Sequence, residues 1–359
     1  MTGKKAGKGG KVLAFAGIGV IALGLSGAFA WSAGLVGRPV TTSTFLKNVP
    51  EDFPAGYRRA HGRGLCFAGT FTPTDEAAGL STATVFSSGE IPALGRFSFG
   101  GGNPHAPDLA GRTQAMALML TGRDGDQWRM KLNNIPYFVT RDPEGFLARG
   151  AAFKPDPATG EPDPAKVEAF LKAYPEAAKF LAWEKQAAWS GSFAGETFNV
   201  VNAFIFTNAE GQKIAVRWSL QPRQAFVPLS EETKASAGPN YLFDDLRTRV
   251  KQGPLLWDIV AQLAEPGDPV DDPSQPWPDS RRKVTLGTLT VTEVSDQTNG
   301  ACRDVNFDPT LVPAGMALSD DPVLKTRAGI YAHSYNARVR EIGYGRATDA
   351  VGQPKGDAR

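Results

Sequence analysis

The sequence has little of what metal clusters and disulfide frameworks are built from. Its 359 residues contain two cysteines, Cys66 and Cys302, and three histidines, His61, His105 and His333. That excludes a CxxC-type metal site and a disulfide scaffold. The two cysteines read as free thiols, although an oxidising compartment would permit one bridge. An excess of one charge is missing too. The 39 Lys and Arg against 37 Asp and Glu leave a formal net charge of +2, so nothing here argues for a nucleic-acid partner. No internal repeat is present. Turn formers are abundant instead, with 40 Gly and 27 Pro. The length suits one large β-rich domain.

Charge is absent altogether from one stretch. Lys4, Lys5, Lys8 and Lys11 are followed by an uncharged run from Val12 to Gly37. About 20 residues cross a bilayer, and flanking lysines stay on the cytoplasmic side. Residues 1–11 therefore read as a cytoplasmic basic segment and 12–37 as a transmembrane helix. The sequence Ala28-Phe29-Ala30 keeps a cleaved signal peptide open as the alternative. Either way the rest of the chain is expected outside the cytoplasm, anchored in an inner membrane or free in the periplasm. Residues 38–52, with Pro39 and Pro50, read as an extended linker. The tail from 346 to 359 reads as disordered.

The most informative stretch lies near the other end, from Arg327 to Arg338. As a helix it places Arg327, Tyr331 and Arg338 at i, i+4 and i+11, on one face. One reading is a solvated face with a tyrosine packed on arginine stems. The other is a tyrosine ligand to haem iron. A free phenol ionises near pH 10, so a ligating phenolate needs a cation beside it. Arg327, one turn earlier, is placed to supply it, and Arg338 to meet a haem propionate.

Four segments in order resemble the haem catalases. Arg58-x-x-His61-x-x-Gly64, with Gly69-Thr-Phe71 after it, looks like their distal histidine strand. Arg96-Phe97-Ser98 is similar to their R-F-S strand. Asn133-Asn134-Ile135-Pro136, followed by Arg141-Asp142-Pro143, resembles their N-N-x-P segment. Arg327-x-x-x-Tyr331, with Arg338 beyond, looks like their proximal haem helix. The resemblance covers residues 53–345 and takes the outline of a minimal catalase-related peroxidase. It implies an α+β fold, an antiparallel β-barrel with surrounding helices. It also implies one haem b.

By that resemblance His61 is the distal base, Asn133 orients the peroxide and Ser98 supports the imidazole. Tyr331 ligates the iron and Arg327 keeps it ionised. Arg58, Arg96 and Arg338 meet the haem, and Phe138 and Phe146 line its pocket. The chain departs from the family at Gly111–Met116, where catalases carry an acidic R-D-P-R-G-F segment. The missing carboxylate favours a peroxidase, using peroxide and a small organic electron donor, over fast disproportionation. Two alternatives stand beside it. Hydroperoxide isomerases of the allene oxide synthase type share the pocket but carry a threonine before the distal histidine, where this chain has Ala60. A haem-storage or sensing protein would not require both His61 and Asn133.

Elsewhere, helical patterns run from Pro164 and again from Pro175. Strands are expected at 199–207 and 214–220, split by a turn at Asn208–Gly211, and at 284–294. Residues 244–251 and 255–263 read as helices. His105, in a Gly/Pro loop, and His333, pointing off the haem face of its helix, read as structural or solvated.

Overall fold

The computed structural model describes residues 40–46, 53–87 and 89–345. The expected membrane span at 12–37, the basic segment before it and the tail at 346–359 lie outside those residues. Among the described residues no helix is long and apolar enough to cross a membrane.

The strands are Gly64–Pro73 (β1), Ile91–Phe99 (β2), Gln114–Thr121 (β3), Gln127–Asn133 (β4), Phe198–Asn199 (β5), Phe204–Thr207 (β6), Lys213–Pro222 (β7), Leu255–Leu263 (β8), Lys283–Asp296 (β9) and Met316–Leu318 (β10). All pair antiparallel. β1 to β5 and β7 to β9 close a ring through the β7–β8 and β9–β1 pairings, an eight-stranded barrel, and β6 and β10 extend outward from β7. The helices are Thr42–Leu46 (α1), Asp75–Leu80 (α2), Pro143–Ala152 (α3), Pro164–Ala173 (α4), Ala177–Gln186 (α5), Glu231–Ser236 (α6), Tyr241–Gln252 (α7) and Pro322–Gly343 (α8).

Alternation builds the barrel. Along β8, Leu255, Trp257, Ile259, Ala261 and Leu263 are buried while the residues between are half-exposed. This segment was expected to be a helix; its period of two makes it a strand. The interior is packed with rings. Phe97 meets Phe67 at 4.8 Å, Phe193 at 5.3 Å and Trp257 at 5.8 Å, and Trp128 meets Trp218 at 4.9 Å. Truncating such a ring to alanine costs about 3–5 kcal/mol, so the barrel is a stiff base for whatever lies on it.

Part of the barrel's outer face is buried as well. Cys66 on β1, Arg96 and Ser98 on β2, Ala117 on β3 and Lys131 on β4 all point outward and are shielded. The 22-residue helix α8 and the segment from Gln297 to Phe307 cover them. α8 starts where Asp321 accepts hydrogen bonds from the backbone N–H of Val323 and Leu324, with Pro322 in the first turn, a strong N-terminal stop signal. α1, inside the segment read as an extended linker, packs on α8.

Cys66 and Cys302 form a disulfide, with Cα atoms 5.4 Å apart. The expectation of two free thiols is therefore overturned. Their separation of 236 residues hid the pairing; the barrel wall and the covering segment bring them together. The bridge pins that segment to β1.

Candidate active site

A cavity of about 240 Å³ lies between the outer barrel face and α8. Its walls bring together His61, Ser98, Arg58, Arg96, Tyr331 and Arg338, six of the residues expected from the sequence. Much of the remaining lining is apolar: Phe45, Ala60, Ala117, Val305, Phe307 and Ile330.

His61 was expected on a strand. It sits instead in the turn before β1, with φ of 55°, the only non-glycine residue with positive φ among those described. Side chains resist this backbone conformation, so neighbours must hold it. The Gly62 N–H donates to the Gly101 carbonyl at 3.0 Å. A Cβ at Gly62 would stand 2.1 Å from the Gly102 oxygen, so only glycine allows the approach. The His61 imidazole Nδ1 lies 3.5 Å from Ser98 Oγ, a loose contact. Burial first, then the charges of Lys131 and Arg96, hold the imidazole pKa well below its ordinary value. His61 is thus neutral and able to accept a proton.

Tyr331 enters from the opposite wall. Arg327 Nη2 donates to its hydroxyl oxygen at 3.1 Å, one helical turn away. Arg327 is itself held by Asn202 Oδ1 at 2.8 Å, and Asn202 Nδ2 donates to Asp321 Oδ2 at 2.7 Å. The phenol oxygen therefore faces a cation fixed from behind by the helix cap.

Three guanidinium groups gather at one part of the cavity. Arg58 Nη2 donates to the carbonyls of Cys302, Arg303 and Val305 at 2.9, 3.2 and 3.0 Å. Arg96 Nη2 reaches the Gly62 carbonyl at 3.1 Å, and its Nε donates to Gln297 Oε1 at 3.2 Å. It passes where a Cβ at Gly64 would stand 2.1 Å from its Cζ. Arg338 is 2% exposed, and its Nε and Nη2 have no hydrogen-bond partner among the described residues. Burial lowers all three pKa values, Arg96 to about 9; repulsion among the guanidinium groups adds to this at Arg58 and Arg96, while at Arg338 the nearby Asp304 carboxylate acts the other way. A buried donor without a partner costs about 1–3 kcal/mol, more when charged. The site has the donors for an anionic group it does not itself contain.

Four expected site residues stand back from the cavity wall: Arg327, behind Tyr331, and Asn133, Phe138 and Phe146. Asn133 lies at the end of β4 and accepts a hydrogen bond at Oδ1 from Lys131 Nζ at 3.3 Å. Phe138 and Phe146 stack on one another at 5.2 Å. Phe146 also stacks on Phe45 at 6.2 Å, and it is Phe45, from α1, that reaches the cavity. The sequence reading missed Phe45, Tyr335, Phe307 and Lys131, all in the wall. Lys131 shares its strand face with Asn133 two residues on, a signal that was available. Phe307 sits under Arg58, 6.0 Å from ring centre to Cζ, and Tyr335 beside Arg338 at 5.4 Å. His105 packs edge-on to Tyr57 at 5.6 Å and His333 is exposed, so neither enters the cavity.

The catalase family model matches residues 48–345. The chain is 37% identical over 316 residues to a catalase-related peroxidase of Synechococcus elongatus, covering 87% of this chain and 92% of that one. It is 34% identical over 285 residues to a catalase-related peroxidase of Mycolicibacterium paratuberculosis, covering 79% and 90%. The solved structure of a bacterial catalase superposes with a TM-score of 0.69 at 22% identity, over 83% of this chain and 59% of that one. With barrel, tyrosine-bearing helix and facing histidine in place, these matches give one answer: the chain belongs to the catalase family.

Proposed function

We propose that the chain is a haem peroxidase. It reduces hydrogen peroxide or organic hydroperoxides at the expense of a small organic donor. The observation that carries this is the cavity's polarity. A tyrosine and a neutral histidine face each other across apolar walls, and Arg338 brings a buried guanidinium whose Nε and Nη2 are unpaired among the described residues. Those residues fit haem b: Tyr331 as iron ligand, and Arg58, Arg96 and Arg338 as partners for its two carboxylates. Haem, when bound, would supply the iron and hold the oxidising equivalents that the peroxide delivers until the donor reduces them.

The protein groups do the rest. Neutral His61 takes the proton from one peroxide oxygen and returns it to the other as the O–O bond breaks. Ser98 limits rotation of its imidazole. Asn133 takes the peroxide-orienting role by its match to the family's distal asparagine; it lies behind the cavity wall, its Oδ1 accepting from Lys131 Nζ. Arg327 stabilises negative charge on the Tyr331 oxygen. Among the described residues the cavity wall carries no carboxylate, which supports the donor route over disproportionation.

The uncharged run at 12–37 and the disulfide support an extracytoplasmic site, since bridges persist in oxidising compartments. A single anchor in the inner membrane fits both. The test is a paired assay of the haem-loaded full chain. Peroxide-dependent oxidation of an aromatic donor is expected to outpace dioxygen release. Dioxygen release that outruns donor oxidation would mean a catalase instead.

A further inference from the structure

Lys131 is a cavity residue to which the chemistry above gives no ligand of its own. On β4, Trp128, Met130 and Leu132 fill the barrel, while Lys131 and Asn133 lie on the outer face. Lys131 is 7% exposed and lines the cavity with His61, Ser98 and Arg96. Opposite it on β3 is Ala117, and opposite Ala117 on β2 is Arg96. The small Ala117 side chain leaves space between the two cations. Lys131 Nζ donates to the Leu132 carbonyl and to Asn133 Oδ1, both at 3.3 Å and both neutral. No carboxylate pairs with it among the described residues. Buried charges are ordinarily paired, and of the charged groups around His61, Lys131 acts on it most strongly.

We propose that Lys131 makes the His61 side of the cavity an anion-binding site, and that it selects peroxides bearing negative charge beside the O–O bond, peroxycarboxylates foremost. This rests on the haem peroxidase reading. Two features fit the ligand. The ammonium supplies the charge, and the small Ala117 side chain leaves room beside it on the side of Arg96. Burial and the guanidinium groups of Arg327 and Arg96 push the Lys131 pKa well down. An anion bound beside Nζ offsets this, so ligand and proton are taken up together: an entering peroxyacid supplies both and leaves an ammonium–peroxycarboxylate pair with atoms and charge in balance.

Formate is the probe, titrated into the haem-loaded full chain at constant ionic strength and followed in the Soret band. The parent is compared with Lys131→Met, which keeps the volume and removes the charge, and with Lys131→Arg, which keeps the charge. The formate dissociation constant is expected to rise at least tenfold in Lys131→Met and to stay within threefold of the parent in Lys131→Arg. The ratio of kcat/KM for peroxyacetate over ethyl hydroperoxide should fall by a similar factor in Lys131→Met only. Unchanged formate affinity with a normal Soret band overturns the proposal and leaves the peroxidase reading standing. Weaker haem retention with unchanged formate affinity also overturns it, since Lys131 would then serve the cofactor. A parent with no Soret band overturns both.

Discussion

Replacing His61 with asparagine is expected to slow peroxide consumption by about 10²–10⁴-fold, the usual share of a general acid–base group, and to leave haem absorption in place. Asparagine is chosen because it tolerates the φ of 55° that this position imposes better than most side chains. No other imidazole can substitute, because His105 and His333 lie outside the cavity. The pH dependence follows from the lowered pKa. Burial, Lys131 and Arg96 disfavour the imidazolium. Activity should therefore persist as pH falls through about 6.5, the free histidine value, and decline only near the lower folded-state pKa. Stability has a matching sign. Below about 6.5 the unfolded chain binds a proton that the folded chain refuses, so stability is lost as pH falls from there toward the folded pKa. The asparagine variant should lack that part of the slope. Initial rates and melting temperatures across pH, on parent and variant, check both. A rate that drops less than threefold would remove His61 from the chemistry.

Replacing Arg338 with leucine is expected to move two stabilities in opposite directions. In the haem-free protein Arg338 is buried near Arg58 and Arg96, with two nitrogen atoms unpartnered among the described residues. Removing that guanidinium relieves about 1–3 kcal/mol of unmet hydrogen bonding, so the haem-free variant should melt higher. The same change deletes a partner for a haem carboxylate. Haem affinity should fall at least tenfold, about 1.4 kcal/mol. Thermal melting without haem and haem transfer to an acceptor globin separate the two effects. A variant that melts lower without haem would make Arg338 a structural residue.

Local spacing made some of this legible in the sequence. Tyr331 with Arg327 four residues before and Arg338 seven after can share a face only on a helix, and α8 is that helix. Arg96 and Ser98 are two apart on a strand, and both point into the cavity. Other features depend on long-range placement. Leu255–Leu263 alternates in burial but not in sequence, because Leu256 and Val260 are apolar at outward positions; closure of the barrel between β7 and β9 makes it a strand. The Arg58–His61 stretch looks continuous with β1, but the Gly62–Gly101 contact bends it into a turn. The Cys66–Cys302 bridge and the role of Phe45 depend on segments far apart in the chain folding over one barrel face. Lys131 was overlooked because a strand lysine ordinarily faces water; here α8 and the covering segment close over it.

The most direct test is the visible spectrum of the full chain reconstituted with haem, beside its Tyr331→Phe variant. A phenyl ring keeps the volume and deletes the oxygen that Arg327 faces at 3.1 Å. The parent should show a Soret band with high-spin ferric features, and the variant should lose or shift it. An identical Soret band in both proteins would mean that Tyr331 does not ligate the iron. No band in either would leave a catalase barrel without its cofactor.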